Sequence, residues 1–157
     1  MTRRVLVMGV GNVLLGDEGV GVHAVRRLER EPWPPNVTLL DGGTGGFHLL
    51  SYLSEHEAVV MVDATLDDQP PGTVRSLRPR FLSDVPRTLS AHDIGLRDLL
   101  ESAALLGASP EVALVTVSVA GLPGSDEPLS IELTPEVAGS LEQASGLVRD
   151  IALSMAG

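Results

Sequence analysis

Four short polar stretches stand directly after apolar runs or beside helical patterns in this chain, and their side chains can bind a cation or move a proton. Val5–Met8 leads into Gly9-Val10-Gly11-Asn12-Val13-Leu14-Leu15-Gly16-Asp17-Glu18-Gly19, Val37–Leu40 into Asp41-Gly42-Gly43-Thr44-Gly45-Gly46, and Ala58–Val62 into Asp63-Ala64-Thr65; a fourth stretch reads Ser90-Ala91-His92-Asp93. Glu18, Asp63 and His92 offer two carboxylates and one imidazole, a donor set suited to a borderline divalent cation with coordination positions left open. Singly, each has a structural alternative. An acid early in a helix favours the helix dipole, so Asp17 or Glu18 could serve only that; Asp63 could close a turn, and His92 could belong to a helix start capped by Ser90. What favours a site is their joint placement: three stretches follow apolar runs and Ser90–Asp93 comes after a further strand expected at Thr73–Leu77, so all are expected at one edge. His23, His48 and His56 fall within or just after helical patterns and read as surface or partly buried residues.

Other chemistries fail on residue types. All 11 basic residues are arginine and there is no cysteine, which removes Schiff bases, thiolate nucleophiles, disulfides and cysteine-ligated metals. The first loop has glycines between strand and helix, but a dinucleotide fingerprint needs glycine where Leu14 stands. Gly11 and Gly16 have phosphate-loop spacing, yet Asp17 and Glu18 follow where lysine and a hydroxyl are required, and two carboxylates repel phosphate. No G-x-S-x-G elbow and no H-E-x-x-H zinc motif occurs.

The elements that would position these residues alternate. Val5–Met8, Val37–Leu40, Ala58–Val62 and Val112–Val119 are continuous apolar runs of the kind found in strands buried on both faces. Helical spacing links Val22, Val25 and Leu28, then Phe47, Leu50 and Leu53, then Ile94, Leu96, Leu99, Leu100 and Ala103. A further strand is predicted over Thr73–Leu77, and a last helix from Thr134 as N-cap and Pro135 as first residue through Ile151. The expected fold is an α/β single domain over residues 1–157: three layers, with a twisted, mostly parallel sheet between helices. In such sheets ligands bind beyond the carboxyl ends of the strands, where the polar stretches stand.

The chain has 157 residues, 21 acidic against 11 basic, giving a net charge of −10 and a pI near 4.7. One domain of this size buries roughly 68–70% of its unfolded surface without metal or disulfide support. The acidic balance disfavours nucleic acid and anionic membrane as partners. Arg3 and Arg4 before an apolar run imitate a signal peptide, but Asn12 and the glycines interrupt the run and Asp17-Glu18 follow, so a cytoplasmic location is expected.

The segment VLVMGVGNVLLGDEGVG at 5–21 resembles the N-terminal signature of the endopeptidases that mature the large subunit of nickel-iron hydrogenases. DGGTGG at 41–46, VVMVDA at 59–64 and SAHDIGLRDLL at 90–100 agree with that family in order and spacing. The resemblance implies a peptidase, aspartic in type rather than serine, cysteine or ordinary zinc, that cuts a C-terminal extension from the large-subunit precursor after nickel insertion. It carries the family's metal-contacting residues onto Glu18, Asp63 and His92, which are also the expected catalytic residues. The nickel is supplied by the substrate, so the resting enzyme is expected to hold no metal. On that reading nickel docked on the three residues fixes the tail, and a water polarised by the metal or by a nearby carboxylate such as Asp17 attacks the carbonyl. Asp41, Gly42, Gly43 and Thr44, with little side chain in the way, would hold the extended tail. After Val119 the resemblance rests on position and pattern, and Ala120–Pro128 is expected to bear on which hydrogenase is recognised. Two other readings use the same three ligands: an escort protein that inspects a metal centre without cutting, and a small-molecule metallohydrolase that holds its own metal.

Overall fold

The computed structural model describes residues 2–43, 46–80, 82–85, 96–121 and 130–157. Among the described residues five strands form one sheet: β1 (Val5–Val10), β2 (Val37–Gly43), β3 (Ala58–Thr65), β4 (Val74–Leu77) and β5 (Glu111–Ser118), in the spatial order β2-β1-β3-β5-β4. All neighbours are parallel except β4, which runs antiparallel to β5 at one edge. The helices are α1 (Val20–Leu28), α2 (Leu50–Glu55), α3 (Leu96–Leu105), α4 (Pro135–Ala138) and α5 (Leu141–Ala156). This is the three-layer, mostly parallel α/β domain that the alternating runs predict.

The layers follow from the two-residue period of the strands. Val5, Val7, Val60 and Val62 face α1 and α5, packing with Val25, Leu28, Val148 and Ile151. Leu6, Met8, Val59 and Met61 face the other way, against Leu49 and Leu53 around α2 and Leu99, Leu100 and Ala103 of α3. Every residue of β1 and β3 is buried as a result, which is why those runs are apolar without alternation. Each such Leu, Val or Met side chain contributes about 1.5–3 kcal/mol by leaving water. A third cluster, with Val20, Ala64, Val117, Val119, Val137 and Ala144, closes the carboxyl end of the sheet.

Several boundaries depart from the sequence expectation, three of them with a consequence for the site or the helices. β2 runs on to Gly43 and β3 to Thr65, because ladder pairing continues past the last apolar residue: Asp63 stands opposite Thr116 and Thr65 opposite Ser118. Asp41, Gly42, Gly43 and Asp63 are therefore strand residues, not loop residues. The predicted last helix is two helices. The buried Ser140 turns its hydroxyl onto the Val137 carbonyl at 2.6 Å next to Gly139, a poor helix former, and α5 starts afresh at Leu141. Before α2, Gly46–Leu49 forms a 3-10 turn where the sequence pattern suggests continuous α-helix.

β1 lies between β2 and β3, so the chain leaves β1 to one side and returns past it to the other. That reversal makes the carboxyl ends of β1 and β3 the switch point of the sheet, the place where sheets of this kind bind ligands. Among the described residues no helix is long and apolar enough to cross a membrane.

Candidate active site

Between β1 and α1 the chain makes a tight return through the 3-10 turn Gly16–Gly19. Glycines permit it by letting backbone touch backbone. A side chain at Gly21 would strike the carbonyl oxygen of Val62 and lie 2.6 Å from that of Val10, so only glycine lets α1 press onto both central strands. Gly11, at φ +132°, abuts the carbonyl of Glu18, and a side chain at Gly19 would come within 2.6 Å of the Val13 Cα. Gly9 of β1 and Gly11 of the first loop serve this packing together with Gly19 and Gly21, and it seats the Glu18 turn on β3.

Two carboxylates are buried there. Glu18 and Asp63 are each 2% exposed. Asp63 follows Val62, the partner of Gly9 in β1, so it stands where β3 outruns β1, and its Oδ1 accepts the Ala64 amide at 2.8 Å. Burial pushes the Glu18 carboxyl above its ordinary value of 4.5. Buried acids with shifted titration cluster at functional sites, which makes Glu18 and Asp63, at the switch point, the candidates here. A cation arriving at Glu18 would favour the charged form and reverse the effect of burial.

The other expected residues divide. Asp41 lies on the edge strand β2 opposite Gly9, and its Oδ2 takes a two-pronged contact from Arg26 of α1, Nε at 3.2 Å and Nη2 at 3.1 Å. The ladder shifts register between Gly9 and Val10, where Gly42 is accommodated, and Gly43 turns back at φ +48° with its carbonyl accepting the Gly11 amide at 3.0 Å. This joins the Asp41–Gly43 segment to the first loop. Thr44 and His92 lie outside the described residues, as does most of the Ala120–Pro128 loop. Among the described residues there is no group of three His, Cys, Asp or Glu side chains placed to hold a metal. The structure thus buries Glu18 and Asp63 at the same end of the sheet, where the Glu18 turn packs on β3, with Asp41 and its glycines on the neighbouring strand.

His23 is half-buried beside Asp41 and Arg26; burial and, after it, the Arg26 charge lower its pKa, with Asp41 partly opposing. His48 is exposed, and the His56 Nδ1 lies 2.7 Å from the Tyr52 carbonyl. Residues that sequence reasoning missed are Ser130 and Thr134. Thr134 does not cap α4 with its side chain; its hydroxyl and amide both go to Asp17, across 117 positions of sequence, and no local pattern signals such a pair.

Comparisons with known proteins give the family of the chain. A family model described as hydrogenase maturation protease matches residues 22–151, a span that includes Asp63 and His92 and starts after Glu18. The hydrogenase expression/formation protein HupD of Rhodobacter capsulatus is 40% identical over 147 residues, covering 90% of this chain and 67% of its own. The hydrogenase 2 maturation protease of Escherichia coli K12 is also 40% identical over 147 residues, covering 90% of this chain and 85% of that protein. Among solved structures, the hydrogenase maturating endopeptidase HybD from E. coli superposes with a TM-score of 0.84 at 35% identity, over 96% of this chain and 93% of that one. The HybD maturation protease of Thermococcus kodakarensis gives 0.76 at 26% identity, over 95% and 99%. From the extent of these matches and the shared fold, the chain belongs to the hydrogenase maturation protease family and is a peptide-bond hydrolase.

Proposed function

We propose that this protein removes the C-terminal extension of a nickel-iron hydrogenase large-subunit precursor, and that the nickel already inserted in that precursor is what it recognises. The observation carrying the proposal is the pair of buried carboxylates, Glu18 and Asp63, at the carboxyl ends of β1 and β3. Together with His92 they form the donor set for the nickel, and the same three residues are the catalytic ones. The metal belongs to the substrate, so the resting protein carries none.

The chemistry is of aspartic type. Nickel held by Glu18, Asp63 and His92 fixes the precursor tail, which converts an encounter between a flexible peptide and water into a positioned reaction. A water molecule polarised at this carboxylate-lined site adds to the scissile carbonyl carbon, the carbon–nitrogen bond breaks, and the leaving nitrogen departs with a proton. The Asp41–Thr44 segment lies along the tail, where a glycine-rich edge leaves an extended backbone room. The net charge of −10 keeps nucleic acid and anionic lipid away, in line with a cytoplasmic protein acting on another protein.

The deciding experiment is intact-mass analysis of a candidate precursor, nickel-loaded and nickel-free, after incubation with this protein or its His92→Ala variant. Loss of a C-terminal peptide only from the nickel-loaded precursor, and only with the unmodified protein, is the expected result. Nickel-dependent binding to the cognate precursor without any tail release would replace the peptidase with a non-catalytic escort. Stoichiometric metal retained by the purified protein would point instead to a metallohydrolase with its own cofactor.

A further inference from the structure

The turn that carries Glu18 is held from outside by a distant segment of chain. Leu15 and Ser130 form an isolated parallel bridge, in which the Gly16 amide donates to the Ser130 carbonyl at 2.7 Å and the Ser130 amide to the Leu14 carbonyl at 2.8 Å. Two residues on, Asp17 completes the clasp: its Oδ1 accepts the Thr134 amide at 2.7 Å and its Oδ2 the Thr134 hydroxyl at 2.8 Å. Both oxygens of one carboxylate are thus turned towards a single residue at the start of α4. A charged acceptor strengthens both bonds relative to neutral ones.

The geometry of the turn gives the clasp a consequence for its neighbour. A 3-10 turn has about three residues per revolution, so successive side chains point roughly a third of a turn apart. With Asp17 directed outward to Thr134, Glu18 is rotated inward, and the two differ accordingly: Asp17 is partly exposed and Glu18 is 2% exposed. Rotation of the turn would move both side chains together, because the backbone there is also pinned by Gly11 and Gly19.

We infer that Asp17 is a positioning residue of the peptidase: its carboxylate clasps Thr134 and thereby fixes the direction of Glu18, without itself touching substrate or activating water. The inference rests on the proposed role of Glu18, and the test separates the two. Asn at position 17 can still accept the Thr134 amide and can donate to the Thr134 hydroxyl, so Asp17→Asn preserves the clasp and removes only the charge.

The experiment measures kcat/KM for processing of the nickel-loaded precursor over pH 5 to 8, and hydrogen exchange of the 14–18 and 130–134 amides. Asp17→Ala is expected to lose about tenfold to a hundredfold in kcat/KM, the scale of an ångström-sized misplacement. Asp17→Asn should stay within about threefold with the pH profile of the unmodified protein, and Thr134→Val should lose about threefold, the scale of one hydrogen bond. Exchange in both segments should rise in Asp17→Ala and not in Asp17→Asn. Asp17→Asn as inactive as Asp17→Ala, or with a displaced pH profile, would overturn the inference in favour of a proton-transfer role. Unchanged exchange in Asp17→Ala would overturn it independently of activity. If Glu18→Ala processes at the normal rate, it is the reading of Glu18 that fails, whatever Asp17 does.

Discussion

The two ends of the sheet carry charge in opposite ways. At the amino end Arg3 and Arg78 both reach Glu111, at 2.9 and 3.2 Å, with side chains between 39% and 50% exposed, and the Arg4 amide donates to Glu57 at 3.0 Å. At the carboxyl end Glu18 and Asp63 are buried to 2% exposure among glycines and apolar strands. Charges at the amino end keep their water, and exposed pairs of this kind contribute about 0–1 kcal/mol each. Those at the carboxyl end have given up water, which raises the Glu18 pKa and leaves the fold less stable than apolar residues would. On the proposed function, the switch point is where stability is given up for chemistry, and the solvated edge is not.

The sharpest way to break this comparison is to remove the buried groups. Glu18→Ala, Asp63→Ala and His92→Ala are each expected to reduce processing of a nickel-loaded precursor by at least about a hundredfold. Circular dichroism should show the fold retained. Normal processing by all three variants would assign the chemistry elsewhere.

Next in size is the packing at the switch point. Gly21→Ala forces a methyl group against the Val62 and Val10 carbonyls, backbone atoms that cannot swing away. Urea denaturation should register a loss of about 1–3 kcal/mol or more, with processing reduced in parallel. A variant as stable as the parent would mean that α1 does not press on the strands as tightly as the geometry requires.

A smaller effect has a sign set by burial. Because the Glu18 carboxyl titrates above 4.5 in the folded protein, the folded state holds this proton in a pH range where the unfolded chain has released it. Stability attributable to Glu18 therefore falls as pH rises from 4.5 through the raised folded value. Glu18→Gln should melt higher than the parent at pH 7, with the gap closing as pH falls to 4.5 and below, where both states are protonated. Melting temperatures between pH 4 and 8 check this, and a gap that widens on acidification would contradict it. The smallest expected change is at the other end: Arg78→Ala should cost under about 1 kcal/mol and leave processing intact. A large loss there would erase the contrast between the two edges.

Much of this was legible in the residues. The uniformly apolar runs of β1 and β3 announce strands covered on both faces, and the alternation of strand and helix announces a mostly parallel sheet whose carboxyl edge holds the stretches with Glu18, Asp41 and Asp63. Glu18 and Asp63 could be assigned to that edge before any coordinates, because Asp63 directly follows such a run and Glu18 stands in the loop that follows another. Where strands end was less legible: Asp63 and Asp41 look like loop residues by polarity, yet ladder pairing carries β3 to Thr65 and β2 to Gly43. Gly139 and Ser140 hid a break in what reads as one helix, since the apolar pattern resumes in phase with it.

By itself the sequence determined the kind of sheet, the side from which a site would open and the acids available to it, because these depend on periodicities and neighbours within a few residues. Only the tertiary structure decided that Glu18 is buried while the adjacent Asp17 is partly exposed and clasps Thr134. It also decided that the glycines serve backbone-to-backbone packing. Contacts between Asp17 and Thr134, or between Gly21 and Val62, join positions far apart along the chain. They arise when the whole core closes, and no local pattern of side chains encodes them.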